Sequence, residues 1–260
     1  MFGYAITDAM ALLSAMHQFG FITSAQAACI LADRARHQSY PAILRLAQKR
    51  LQALETSGLI RSKKRRFEAA VFGLTPAGCR HLGLPGGAAK DALRTIGEHR
   101  ILANSIAIDA ANQDHNPTVW SEREIQTGRA PVRTWRGKIP DILIEHLPTQ
   151  ITWVEVENSK RSDHDLFAAL FWLTKIFTIT DDGHLLFDKL STGESIAEVE
   201  FITPAGAKKQ AEDLYRRFLK AGHGYQTQGM PVPTFLQTLA RKGCLRFNTT
   251  PDDLLVPYWM

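Results

Sequence analysis

Apolar side chains recur at helical spacing through residues 5–19, at Ile6, Met10, Leu13 and Phe19 with Leu12 and Met16 adjoining, and predict a first helix. Thr23-x-x-Gln26 is a capping box that opens a second helix to about Leu31. Ser39-Tyr40-Pro41 starts a third, with proline at a first helical position, running to about Ser57. Its apolar stripe is Ile43, Leu44, Leu46, Leu51 and Leu54, while Arg45, Gln48, Lys49 and Gln52 fall largely elsewhere. Gly58 ends it as a C-cap. Two short strands follow at 59–61 and 69–72, joined by a loop carrying Lys63-Lys64-Arg65-Arg66 at its tip. Thr75-Pro76 caps one more short helix.

Leu84-Pro85-Gly86-Gly87 is the clearest break in the chain. Beyond it the pattern predicts a helix over about 89–111, a strand entrance at Trp120-Ser121-Glu122-Arg123-Glu124-Ile125, and a polar loop over 127–137. Two alternating runs, 139–147 and 151–157, surround a Pro-Thr-Gln turn and read as a β-hairpin. Ser162-x-x-Asp165 caps a helix whose apolar face is Leu166, Phe167, Leu170, Leu173, Ile176 and Phe177. A strand at 198–202 and a helix from Thr203-Pro204 to about Lys220 come next. Residues 222–260, with prolines at 231, 233, 251 and 257, read as a partly irregular wrap. The expected class is therefore α/β: residues 1–84 as one domain, 89–222 as an α/β layer around a mixed sheet, and 223–260 as an extension packed on it.

The hairpin holds the sharpest chemical signal. Asp141 follows a proline at the first strand's start, and Glu155 and Glu157 flank Val156 at the second strand's end. Alternation puts both glutamates on one face, where adjacent carboxylates attract a cation or a proton. A four-residue turn would pair Asp141 with Val156, on the wrong face. A five-residue turn or a bulge pairs it with Glu155 or Glu157, and that register is the one expected. The plain alternative is a solvated hairpin with charges on its wet face.

Charge changes the picture of the first domain. The whole chain is +5, but residues 1–84 hold 11 Lys/Arg against 4 acids, and the remainder holds 20 against 22. A basic front on a near-neutral body suggests a polyanion partner. Three helices followed by a basic hairpin is the order of a winged helix-turn-helix, which lays its third helix in the major groove and its wing on phosphates. On that reading Ser39, Tyr40, Arg45, Gln48, Lys49, Lys63, Lys64, Arg65 and Arg66 face double-stranded DNA. Cys29, Cys79 and Cys244 fit neither a disulfide framework nor zinc spacing, which suits a reducing cytoplasm. No apolar run approaches the ~18–20 residues that span a bilayer, no leader is read at the N-terminus, and no phosphate-binding glycine loop is present.

Helix, three strands, helix and strand, with Pro-Asp on one strand and Glu-x-Glu on the next, resembles the PD-(D/E)XK nuclease core. Thirteen residues separate Asp141 from Glu155, within that motif's loose range. The resemblance implies Mg²⁺ (or Mn²⁺) held by Asp141 and Glu155 with an upstream acid, Glu122 or Glu124. It implies catalytic roles for Asp141, Glu155 and Glu157, the last standing where the motif usually has lysine. Lys160 or Lys175 would then supply the positive charge. Taken with Gly58-Leu59-Ile60, Phe72-Gly73-Leu74-Thr75-Pro76-Ala77-Gly78 and Val154-Glu155-Val156-Glu157-Asn158-Ser159-Lys160, the chain resembles the replication-relaxation family, which includes MobC-type plasmid mobilisation relaxases. The likeness covers roughly residues 5–180. It implies a metal-dependent DNA nuclease or relaxase-like nickase of a mobile element, acting at an origin of transfer or replication with relaxosome proteins. The alternative is a DNA-binding regulator or relaxosome accessory protein whose nuclease-like domain is catalytically silent.

Overall fold

The computed structural model describes the chain except residues 1–6, 33–37, 66–67, 90–92, 94–95, 114–116, 132–136, 148–149, 158–161, 181, 188–192, 205–207 and 251–260. It is mixed α/β and divides into two compact units between Asp114 and His115.

The first unit runs α1 (Asp8–Phe19), β1 (Ile22–Thr23), α2 (Ser24–Ala32), α3 (Tyr40–Thr56), β2 (Ile60–Arg65), β3 (Glu68–Leu74), α4 (Pro76–His81) and, after a 3-10 turn, α5 (Glu98–Ala111). Its three strands lie in the order β1-β3-β2, all antiparallel. The capping box forms as expected: Thr23 N donates to Gln26 Oε1 (2.9 Å) and Gln26 N to Thr23 Oγ1 (3.2 Å). On α3, Ile43, Ala47, Leu51 and Leu54 are buried, while Arg45, Gln48, Lys49 and Gln52 are exposed. The Thr-Pro-Ala-Gly stretch is a tight junction. Thr75 Oγ1 accepts from Gly78 N (3.1 Å) and donates to Gly58 O (2.7 Å). A Cβ on Gly78 would stand 2.1 Å from the Leu59 carbonyl oxygen, so glycine is required by space.

The 84–87 break does not divide the chain. Residues 86–89 form the 3-10 turn, and α5 belongs with the first unit, not with the sheet that follows. Buried polar side chains hold it there. Gln26 Nε2 donates to Ile101 O (2.9 Å) and to Ser105 Oγ (3.0 Å), and Asn104 Nδ2 donates to Phe21 O (3.0 Å). An unmet amide in such a place costs ~1–3 kcal/mol, which fixes α5 firmly.

The second unit runs β4 (Thr118–Ser121), α6 (Glu122–Gln126), β5 (Ile142–Leu147), β6 (Gln150–Val156), α7 (Asp163–Ile176), β7 (Phe177–Ile179), β8 (Leu185–Phe187), β9 (Ser195–Thr203), α8 (Lys208–Ala221), β10 (Gln226–Thr227), β11 (Met230–Pro231), α9 (Val232–Arg241) and β12 (Leu245–Thr249). Its five-stranded sheet has the order β12-β9-β6-β5-β4. β4, β5 and β6 form an antiparallel meander, whereas β9 is parallel to β6 and β12 is parallel to β9. One sheet face, with Leu143, Ile151, Trp153, Val199, Phe201 and Leu245, shares a core with Leu173 of α7, Phe218 of α8 and Phe235 of α9. Where an irregular wrap is expected, the chain forms α9 and the edge strand β12. Pro231 and Pro233 mark the start of α9, the place in a helix where the missing N–H costs nothing. The segment 120–125 also differs, because the strand stops at Ser121. Ser121 Oγ accepts from Glu124 N (3.3 Å) and Glu124 Oε2 from Ser121 N (3.1 Å), a reciprocal cap that turns the chain into α6. Phe167 is 41% exposed, outside the buried stripe of Leu166, Ala169, Leu170, Leu173 and Ile176. No described helix is long and apolar enough to cross a membrane.

A fragment of residues 1–113 should unfold cooperatively in urea, whereas 1–88, which loses Ile101, Asn104 and Ser105, should be at least ~3 kcal/mol less stable. Equal midpoints for the two fragments would remove α5 from this folding unit.

Candidate functional site

The β5–β6 hairpin sets the geometry. Ile142 pairs with Val154, and the register shifts between Glu145 and Leu147, so a bulge absorbs the odd residue near the turn. Asp141 stands one residue before β5 and is bonded to β6 on either side of Glu155. Asp141 N donates to Val154 O (3.2 Å), and its Oδ2 accepts from Val156 N (2.8 Å), locking the carboxylate across the end of the hairpin.

Glu155 lies on the face of Trp153 and is buried, at 5% exposure. Trp153 Nε1 donates to Glu155 Oε1 (2.6 Å), and the Lys138 ammonium forms an ion pair with Oε2. The same ammonium stands 5.1 Å from the centroid of the Trp172 ring, which itself packs at 4.5 Å on Trp153. Lys138 is thus held between a carboxylate and an indole. Sequence reasoning missed Lys138. It precedes the Ile139-Pro140-Asp141 entrance, outside the positions where the motif seeks a lysine.

The other expected residues divide. Glu157 is 7% exposed, with its N–H donating to Ile202 O (2.8 Å) as β6 leaves β9. Glu122 follows Ser121, the partner of Ile142, as the first residue of α6. Its Oε1 accepts from Gln126 Nε2 (2.6 Å) along α6. Glu124, the alternative upstream acid, is occupied by the Ser121 cap and lies 3.8 Å from the Arg129 guanidinium. Lys175 is on the exposed side of α7, 4.0 Å over the Phe171 ring. Lys160 lies outside the described residues. Among the described residues no group of three or more His, Cys, Asp or Glu side chains is arranged around one point to hold a metal. Carboxylates are the donor type Mg²⁺ takes, one or two of them with substrate phosphates, but both Glu155 oxygens are engaged by Trp153 and Lys138. Burial pushes the Cys244 thiol up, with the nearby Glu198 charge adding to it, so this cysteine is no ready nucleophile.

In the first unit, Ser39 precedes α3, and Tyr40, Arg45, Gln48 and Lys49 stand exposed along it. Lys63 and Lys64 are exposed on β2, and Lys63 Nζ donates to Leu93 O (3.2 Å). Arg65 ends β2, its side chain outside the described residues, as is Arg66.

Comparison with family models, curated proteins and solved structures finds no match.

Lys138→Met leaves a buried carboxylate without its cation and should destabilise the protein by ~3 kcal/mol. Adding Glu155→Gln should recover at least half of that, because the amide needs no counter-charge. Urea midpoints of the wild type, both single variants and the double variant give the coupling; purely additive effects would mean the pair does not interact in solution.

Proposed function

We propose that this chain binds double-stranded DNA through its first unit and cuts a DNA strand at the acid-bearing end of the β5–β6 hairpin. The supporting observation is that Asp141 bonds to Val154 and Val156 on either side of Glu155, with Lys138 paired to the Glu155 carboxylate. Three antiparallel strands followed by a helix and a fourth, parallel strand, with acids on the second and third strand ends, favour a restriction-endonuclease-like reading. In the first unit, the strand order β1-β3-β2, the exposed polar row on α3 and the basic β2–β3 hairpin support a winged helix-turn-helix. Asp141 and Glu155, with Glu122 adjoining, would hold Mg²⁺ or Mn²⁺. A hard cation there supplies an activated water and neutralises charge on the phosphate. Lys138 takes the place of the lysine that Glu157 displaces: it brings fixed positive charge to the acids from the preceding loop. The biological setting remains the one the resemblance implies, a replication-relaxation protein of a mobile element acting at an origin of transfer or replication in the cytoplasm.

A second reading has its own support. Both oxygens of Glu155 are engaged by protein donors, and no three-acid group forms among the described residues. A DNA-binding regulator or relaxosome accessory protein with a silent nuclease-like unit would look this way.

Incubation with supercoiled plasmid carrying its own element's origin, with Mg²⁺ or Mn²⁺, separates the two. The first reading expects open circles, and Asp141→Asn or Glu155→Gln should lower nicking at least ~100-fold while duplex affinity stays within twofold. No nicking with either ion selects the regulator; equal nicking by both variants puts the site elsewhere.

Neutralising Lys63, Lys64, Arg65 and Arg66 together should weaken binding to all duplexes and lower the slope of log affinity against log salt by ~0.9 per lost phosphate contact. Changes at Arg45 or Gln48 should instead alter which sequence is preferred. An unchanged salt slope would remove the wing from the interface.

A further inference from the structure

Away from the acids, the second unit exposes an unusual amount of aromatic surface. Phe167 is 41% exposed, Phe171 57% and Tyr225 52%, and the three stand together around one depression. Phe167 and Tyr225 meet at 4.9 Å between centroids, their planes inclined at 58°. On one side of this pair is a cavity of about 270 Å³, walled by Phe171, Leu170, Thr174 and Val232. On the other is one of about 310 Å³, lined by the same two rings with Arg217 and Lys220 of α8. Lys175 lies over the Phe171 ring at 4.0 Å. Neither cavity has an Asp or Glu in its lining.

The depression is built on a braced frame. Gln228, at the tip of the β10–β11 hairpin, is the only described non-glycine residue with positive φ, at 50°. Its side chain explains why the chain tolerates that conformation. Nε2 donates to Phe177 O (2.7 Å) and Thr174 O (3.2 Å), and Oε1 accepts from Ile179 N (2.7 Å). These bonds clamp the hairpin to the end of α7 and hold the Tyr225 strand entrance against Phe167. Val232 approaches so closely that a Cβ on Gly222 would stand 2.6 Å from its Cγ1. Aromatic faces held open by a fixed frame, bordered by cations, suit a ligand with flat apolar rings and a chain of negative charge.

We infer that this depression binds unpaired nucleotides of a DNA strand, with bases stacked on Phe171, Phe167 and Tyr225 and phosphates at Arg217, Lys220 and Lys175. The chemistry is that of single-strand platforms, which combine aromatic stacking with a cationic track and little sequence preference. The assignment rests on the reading that the chain acts on DNA, and it adds a place for a strand that has come out of the duplex. A duplex does not satisfy it, because paired bases keep their faces stacked on one another.

The test uses the full chain and a fluorescein-labelled oligothymidylate of about eight nucleotides, inside the ~4–16 that one single-strand module covers. Fluorescence anisotropy should show salt-dependent binding. Phe171→Ala with Tyr225→Ala should weaken it at least ~10-fold, and Tyr225→Trp should restore much of the Tyr225 share. An oligomer of the same length with abasic sugars should bind the wild type as weakly as thymidylate binds the double alanine variant. Circular dichroism and the urea midpoint show whether that variant is folded; the Tyr225→Trp comparison stands whatever its state. Equal thymidylate affinity in the wild type and a folded double variant overturns the proposal. So does a wild-type dimer that dissociates on Phe171→Ala while oligonucleotide affinity is unchanged, since the patch would then seat a second copy. Loss of single-strand binding with plasmid nicking retained confirms this site on its own terms. Absence of nicking in the wild type bears only on the acid site and leaves the anisotropy result to stand or fall by itself.

Discussion

The pairing of β5 with β6 governs what the second unit can do. Strand side chains alternate, so a slip of one residue would turn Trp153 and Glu155 out of their face and bring Val154 and Val156 in. The indole of Trp153 is fully buried in a core shared with three helices, and nothing of similar size could replace it on that face. Hydrophobic burial of that ring, worth about 2–3 kcal/mol or more, thereby fixes where the carboxylate two residues later must lie. The bulge near the turn absorbs the remaining residue, and Asp141, just before β5, bonds to the β6 main chain at Val154 and Val156. The position of the acids is thus set by apolar packing, although the acids contribute little to that packing themselves.

Glu155 then has to be satisfied where it stands. An ionised carboxylate in a buried position costs several kcal/mol unless donors and a counter-charge replace water. Trp153 Nε1 supplies one donor and Lys138 the charge, while Trp172 shields the ammonium from solvent on its other side. These four groups come from a loop, a strand and a helix, so the cluster exists only once the sheet and α7 have docked. Asp141 is met differently, its Oδ2 accepting from the backbone N–H of Val156. The two acids are therefore held differently: Asp141 by the main chain, Glu155 by the Trp153 indole and the Lys138 ammonium.

Much of this was legible from residue order, and the exceptions have identifiable causes. The two capping boxes at Thr23 and Ser162, the α3 stripe and the hairpin register follow from local rules that act within a few residues. The place of α5 did not, because it is fixed by Gln26 and Asn104 bonding to groups more than seventy residues away. Glu124 reads as a candidate ligand in sequence, yet three residues after Ser121 it is first of all a cap. The strand β12 escaped notice because prolines suggest irregularity, whereas here they open the helix that leads to it. Phe167 reads as core because α7 carries more apolar residues than one face can bury. The surplus is what stands exposed with Phe171 and Tyr225. Lys138 was invisible for a different reason: it reaches Glu155 across the hairpin from a loop, and no periodicity connects a loop residue to a strand.

The ion pair also limits what stability alone can explain. Replacing a buried ion pair by well-packed apolar residues is often neutral or stabilising by about 1–4 kcal/mol, so Lys138 and Glu155 are not required by the fold. A charged pair at a strand end, next to a second carboxylate that the backbone holds in place, is costly to keep dry and gains the fold little. It makes physical sense where the charges meet something outside the chain. On the proposed reading a phosphate with its cation would be such a partner, offering negative charge to Lys138 and positive charge to Asp141 and Glu155. The aromatic depression at Phe167, Phe171 and Tyr225 presents the same logic in apolar form, with exposed rings that water does not favour. Both features are unfavourable in isolation, and a nucleic acid strand is one ligand whose phosphates and bases would satisfy them both.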